Sequence, residues 1–211
     1  RYTLQSQIES GNNFKIIKLE KLVNCNLFKN LTLGIDPTLF TYTQIRKFFL
    51  KYNSIKFIRQ NLIDYIKKPK KIKSFPFFLL SKEIVGESRK SKLNRISKYL
   101  SKYKADYILI SAPENVAWIL NIRGNDGPNS PMPNARLLIS KTKKIFLINK
   151  IKKCRELFKK KIINFNEFID EEQFEKKILS LKGKNFIIDR NSCSIFFENI
   201  IKKKFKIIKN E

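Results

Sequence analysis

The spacing of apolar residues along the chain predicts alternating strands and helices. Tyr2, Leu4 and Ile8 share a phase opposite Thr3 and Gln5. With the Gly11 to Asn13 turn and the apolar run from Phe14 to Leu19, they predict an opening hairpin. Leu31 to Ile35 and Ile55 to Ile58 predict strands. Between them Ile45, Phe48, Phe49 and Tyr52 fall at helical spacing behind a Thr41 or Thr43 cap. Asn61 to Ile66 predicts an apolar turn, and Phe75 to Leu80 a segment that packs the connection before it, Lys67 to Lys73, onto the body.

From Gly86 onward the pattern is regular. Ser88 caps a predicted helix with Leu93, Ile96, Leu100 and Tyr103 on one face, and Asp106 to Ile110 follows as a buried strand. A helix from Glu114 to Leu120, a Gly/Pro/Asn-rich loop from Arg123 to Asn134, and strands at Leu137 to Ile139 and Ile145 to Ile148 come next. Ile151, Cys154, Leu157 and Phe158 mark a helix, and Ile162 to Phe165 a strand. Asp170 to Gln173 reads as a capping box before a helix bearing Phe174, Ile178 and Leu181. The strand Phe186 to Asp189, a Ser192-capped helix with Ile195, Phe196 and Ile200, and the strand Phe205 to Ile208 close the alternation. The expected fold is α/β, a mixed or mostly parallel sheet covered by helices.

Lys67 to Lys73, with Pro69, breaks both periodicities and is the expected domain boundary, read as a solvated basic linker. The 211 residues carry a net charge of +27, with 45 Lys and Arg against 18 Asp and Glu. Taken alone, this charge suggests nucleic acid or an anionic surface as a partner. The basic residues are 36 Lys and only 9 Arg, however, and Ile, Lys, Asn and Phe, all with A/T-rich codons, make up half the chain. Codon bias therefore accounts for the charge, and no nucleic-acid partner is expected; a basic binding module is the alternative reading.

The absence of His excludes Ser-His-Asp and Cys-His nucleophile systems and every His-ligated metal. Cys25, Cys154 and Cys193 are odd in number, far apart and free of a CxxC pair, which points to a reducing cytoplasm. No apolar run reaches membrane-spanning length, so no membrane partner is expected.

The segment 112–131 gathers the only Trp with several Gly and Pro residues. On composition it is a rigid loop after a short helix, with Trp118 in the core and Gly124 and Gly127 giving backbone freedom. Arg123 and Asp126 form either a loop-fixing ion pair or a site. In order, Glu114, Ala117, Trp118, Leu120, Asn121, Arg123, Gly124, Asp126, Pro128 and Pro131 resemble the middle domain of the long, three-domain aminopeptidase P enzymes (Xaa-Pro aminopeptidases of the creatinase/prolidase superfamily). Flanking segments are similar too: Arg1 to Gln5, Gly34-Ile-Asp36-Pro37 with Leu39, Asn61 to Asp64, and Gly86-Glu87-Ser88 with Lys92-Leu93.

The resemblance implies one partial domain followed by one complete domain of creatinase/prolidase N-terminal type. The divisions are 1–66 for the C-terminal part of the first domain, 67–85 for the linker and 86–211 for the middle domain. It implies a non-catalytic region, inactive alone, that controls substrate access and dimerisation in an enzyme cleaving N-terminal Xaa-Pro peptides. A degraded pseudo-enzyme is a further alternative. Arg123 and Asp126 would lie on the substrate-access loop, supported by Trp118, Asn121, Gly124, Pro128 and Pro131. No catalytic residue, metal ligand or cofactor is assigned within the chain. Two divalent metals, Mn or Zn, would belong to a pita-bread catalytic domain beyond Glu211, and that domain or a second copy would be the partner, with peptide substrate met indirectly.

Overall fold

A computed structural model describes residues 2–18, 21, 29–49, 53–58, 61–67, 75–125, 127 and 129–208. The basic stretch 68–74, Cys25, Tyr52, Asp126 and Pro128 lie outside the described residues.

Residues 31–66 build a small unit. Strand β1 (Thr32–Ile35) and strand β2 (Ser54–Phe57) pair in parallel, joined through helix α2 (Tyr42–Phe48). Thr41 caps α2 with a reciprocal capping box, accepting from Gln44 N while Gln44 Oε1 accepts from Thr41 N. Asn61 to Ile66 is not a bare turn. Asn61 Oδ1 accepts from Ile63 N and starts the short helix α3 (Leu62–Ile66). Asp36 binds Thr38 through its backbone N and hydroxyl, and Asn61 Nδ2 donates to the same carboxylate. Two segments distant in sequence thus meet at the C-terminal end of the parallel pair.

The opening hairpin is not formed. Tyr2–Ser10 is helix α1, followed by a 3₁₀ turn at Gly11–Asn13, and α1 buries none of its residues. Without a core to face, the alternation of Tyr2, Leu4 and Ile8 has nothing to enforce a strand.

The main body is a six-stranded mixed sheet in the order β10, β9, β4, β6, β7, β8. Its strands are β4 (Tyr107–Ile110), β6 (Arg136–Ser140), β7 (Ile145–Ile148), β8 (Phe168–Ile169), β9 (Asn185–Ile188) and β10 (Lys206–Ile207). β10, β9 and β4 run parallel, β6 is antiparallel to both β4 and β7, and β8 is parallel to β7. Side chains alternate between two cores as a strand's period of two requires. Leu137 and Ile139 face one cluster with Val116, Leu120 and Leu157; Leu138 and Leu109 face the other with Phe174, Phe186 and Ile201. After the short helix α4 (Lys82–Val85), helices α5 (Arg89–Lys102), α6 (Pro113–Leu120) and α7 (Arg155–Lys159) supply the first cluster, and α8 (Phe174–Ser180) and α9 (Ile195–Lys202) the second.

Two local readings need correction. Ile162 to Phe165 is not a strand: Lys161 takes φ 52°, a 3₁₀ turn occupies Phe165–Glu167, and the strand falls at Phe168–Ile169. Ser192 does not cap the last helix; its hydroxyl binds Asp189, and Ser194 holds the cap position without a side-chain bond. The first N–H groups of α9 are instead taken by carbonyls of the small unit, Ile195 N to Phe40 O and Phe196 N to Pro37 O, both 2.9 Å. Tyr42 Oη donates to Asn199 on the same helix. The cap that sequence could not supply locally comes from the neighbouring unit.

Cys154 and Cys193 are free and buried, and burial pushes both thiols up to about 12. Among the described residues no helix is long and apolar enough to cross a membrane.

Candidate functional site

Pro113 sits at the first helical position of α6, where its missing N–H costs nothing. Val116, Ala117, Ile119 and Leu120 are buried, which sets the inward face and leaves Trp118 outside it. Trp118 is 47% exposed, so it is not the core residue that its hydrophobicity suggested. Two cations flank its indole: Lys92 Nζ lies 4.3 Å and Arg95 Cζ 5.1 Å from the ring centroid.

The helix ends at Asn121, which adopts the left-handed conformation at φ 56°, ψ 35° and donates its N–H to Ala117 O. Both ends of its amide side chain are engaged. Oδ1 accepts from Lys92 Nζ at 2.6 Å, and Nδ2 donates to Glu87 O at 3.0 Å. Lys92 also donates to Trp118 O at 2.7 Å and is 1% exposed. A buried ammonium therefore closes the carboxyl end of α6, where the helix dipole is negative. Burial is the largest influence on Lys92 and lowers its pKa; Glu87 opposes the shift, while Arg95 and Arg123 add to it.

The Gly86-Glu87-Ser88 segment completes the cluster. Ser88 Oγ accepts from Ser91 N at the start of α5, Glu87 accepts from Ser91 Oγ, and Glu87 meets Arg95 at 2.6 Å. Two segments singled out separately in the sequence, 86–93 and 114–124, are thus one structural unit. Beside them a cavity of about 690 Å³ is lined by residues that include Gly86, Glu87, Arg89, Asn121 and Lys161.

Arg123 follows in strand β5 (Ile122–Arg123), which pairs antiparallel with β3 (Phe78–Leu79). This pairing, with buried Phe77, fixes the connection to the body as expected. The half-buried Arg123 guanidinium donates through Nη1 to Ile122 O at 2.8 Å and Ala117 O at 3.3 Å. Gly124 N donates to Pro131 O at 3.0 Å, closing the loop. A Cβ on Gly124 would stand 3.0 Å from Phe77 and from the Pro133 backbone. Pro131 is exposed. The structure thus gathers Trp118, Asn121, Arg123, Gly124 and Pro131 in one neighbourhood. Sequence reasoning missed Lys92 as its centre and Glu87 and Arg95 as its rim. The available signal was the spacing of Lys92 one residue before the inward Leu93.

The Creatinase/Prolidase N-terminal domain family matches residues 67–211. Xaa-Pro aminopeptidase 1 of Dictyostelium discoideum is 33% identical over 153 residues, 63% of this chain and 24% of that protein. The probable Xaa-Pro aminopeptidase P of Botryotinia fuckeliana is 31% identical over 108 residues, 47% of this chain and 16% of its own. The chain thus spans about a quarter or less of the length of these relatives. The crystal structure of X-prolyl aminopeptidase from Caenorhabditis elegans, described as a cytosolic enzyme with a di-nuclear active site, superposes with a TM-score of 0.71 at 21% identity. It covers 93% of this chain and 34% of the nematode chain, and the likeness is one of fold.

The residues present do not fit a di-nuclear metal centre. The sequence has no His, and among the described residues no group of three or more Cys, Asp and Glu stands close enough to hold a metal ion. The match over residues 67–211, more than half of the chain, carries one assignment: this chain belongs to the Creatinase/Prolidase N-terminal domain family.

Proposed function

We propose that the chain is the non-catalytic N-terminal and middle region of an Xaa-Pro aminopeptidase, inactive alone, which narrows peptide access to a catalytic domain. The observation that carries this reading is the uneven coverage: the similarity takes in 63% of this chain but only 24% of the Dictyostelium enzyme. The missing metal donor set agrees with chemistry performed elsewhere. In this reading residues 1–66 belong to a first domain, 67–85 to a linker and 86–211 to the middle domain; the family match begins where the first domain would end and runs on through 67–85. The catalytic domain would hold two divalent metals, Mn or Zn, and would be the partner, together with a second copy of the chain. A cytoplasmic setting is supported by the two buried free thiols.

On the resemblance Arg123 and Asp126 are assigned to substrate access, with Arg123 offering a fixed guanidinium to a peptide carboxylate or carbonyl. The hydrogen bonds from Nη1 to two backbone carbonyls support its role as a preset cation, because they restrict its rotamers before any peptide arrives.

The test is reconstitution. The purified chain with Mn²⁺ should show no Xaa-Pro tripeptide hydrolysis. Addition to a separately expressed catalytic domain of the Dictyostelium relative should change KM or kcat at least fivefold. Arg123→Ala should raise KM with little change in melting temperature. An unaltered rate on mixing would reject the access role.

A further inference from the structure

Drift of codon usage predicts lysines spread evenly over the surface, and the fold does not distribute them so. β4, β9 and β10 begin at the same end of the sheet at which β6 finishes and β7 starts. The four turns at that end carry Lys104; Lys141, Lys143 and Lys144; Lys182 and Lys184; and Lys203, Lys204 and Lys206, all exposed. Asp106 is the one acid in these turns, and it is taken by Lys141 Nζ at 2.8 Å and by the backbone N–H groups of Lys184 and Asn185. Lys203 pairs with Glu175, and Lys204 donates to Leu179 O. Lys104, Lys143, Lys144, Lys182, Lys184 and Lys206 form no ion pair with a described residue. At the opposite end, Glu114, Asp170, Glu171, Glu172 and Asp189 stand against Arg136, Lys150, Lys152, Lys153 and Arg190.

Helix dipoles explain part of this. α5, α8 and α9 finish near the basic end, and a cation there is favourable by about 0.3–1 kcal/mol. The turn 141–144 lies between two strands, at no helix terminus, and carries three of the lysines.

We propose that this end of the sheet docks the phosphodiester backbone of a nucleic-acid duplex without reading its bases. Adjacent strands are about 4.8 Å apart, so the turns of five neighbouring strands span roughly 19 Å. A duplex presents one charge per ~1.7 Å of axis, or about eleven charges over that length. The turns contain no Arg for bidentate base recognition. Their aromatic residues, Tyr103 and Phe205, are half-buried and buried, so no stacking platform for a single strand is offered. The same turns expose no apolar side chain for membrane insertion. Lysine point charges along a rigid sheet end suit backbone neutralisation alone.

The test measures anisotropy of labelled 20-base-pair DNA and RNA duplexes with the full chain between 50 and 200 mM salt. Contact with about four phosphates should weaken binding on the order of a hundredfold over that range. Replacing the six unpaired lysines together (K104Q, K143Q, K144Q, K182Q, K184Q and K206Q) should weaken binding at least tenfold and flatten the salt slope. Six exchanges elsewhere (K15Q, K18Q, K21Q, K56Q, K67Q and K150Q) change net charge equally and should weaken it less than threefold. If the six-site variant does not fold by circular dichroism, K143Q/K144Q/K184Q replaces it, with at least a threefold loss expected. Equal losses in both sets, no binding at 50 mM salt, or tighter association with polyglutamate or phosphatidylserine vesicles than with either duplex would overturn the proposal. Preference for one duplex identifies the nucleic acid without altering it.

Discussion

The ammonium of Lys92 lies 2.6 Å from Asn121 Oδ1, and both residues are buried. A lysine from one helix thereby completes the carboxyl terminus of another. Lys92→Met keeps most of the volume but strips Asn121 Oδ1 and Trp118 O of their donor. Leaving buried acceptors unmet costs about 1–3 kcal/mol. Urea unfolding should show that loss, and an unchanged midpoint would mean that the bonds carry no net stability.

Trp118 provides a second check because it is the only tryptophan. Its exposed ring beside Lys92 and Arg95 should be quenched more strongly by iodide than by caesium in the native protein. Trp118→Ala should cost about 0.5–1 kcal/mol, the range of an exposed cation–π contact. A loss above 3 kcal/mol, as for a core tryptophan, with no quenching by iodide, would return it to the core.

The misplacement of Trp118 shows how much of the site was legible. Hydrophobicity alone sends tryptophan inward, whereas the buried set Val116, Ala117, Ile119 and Leu120 already defines the opposite face of α6. The loop itself was readable because Gly124 and the prolines are rare in this composition. Lys92 was hidden, since a lysine on an amphipathic helix normally faces water. Strands β4, β6, β7 and β9 were legible because each is buried on both faces, β9 with Ile187 against Leu100 and Ala105 on one side. Tyr2 to Ser10 was not, because α1 buries nothing and its periodicity has no packing partner. The α9 cap failed for a related reason: its carbonyl partners lie more than 150 residues away in sequence.

Gly124 is a steric requirement. Gly124→Ala would press a methyl group against Phe77 and the backbone at Met132 and Pro133. The expected cost is about 1–3 kcal/mol, with new protease cleavage within the loop 123–134. Wild-type stability and cleavage would show that the loop can yield.

Acid titration addresses Asp106. Burial pulls its pKa upward, but hydrogen bonds from Lys141, Lys184 N and Asn185 N outweigh burial and hold it below the ordinary 3.8. A depressed carboxylate contributes stability above its unfolded-state pKa and loses it as pH falls through the folded-state value. Asp106→Asn should therefore cost about 1–3 kcal/mol at pH 6, with the gap to wild type closing as pH falls below about 3.8. A constant gap from pH 6 to pH 2 would show that the charge is not involved. Gly183→Ala attacks the same junction sterically: a Cβ would sit 2.8 Å from Asp106 Oδ2, at a φ of 141°.

The balanced charges at one end of the sheet and the lysine turns at the other give the middle portion a permanent electric dipole along its strands. A net charge draws a molecule toward an oppositely charged partner; a dipole also turns it during approach. The lysine end would arrive first at any anionic partner, and the face bearing Asp170, Glu171 and Glu172 would trail. Arrival in one orientation shortens the rotational search that follows a random collision, so the layout of the turns bears on how fast this chain associates as well as on where.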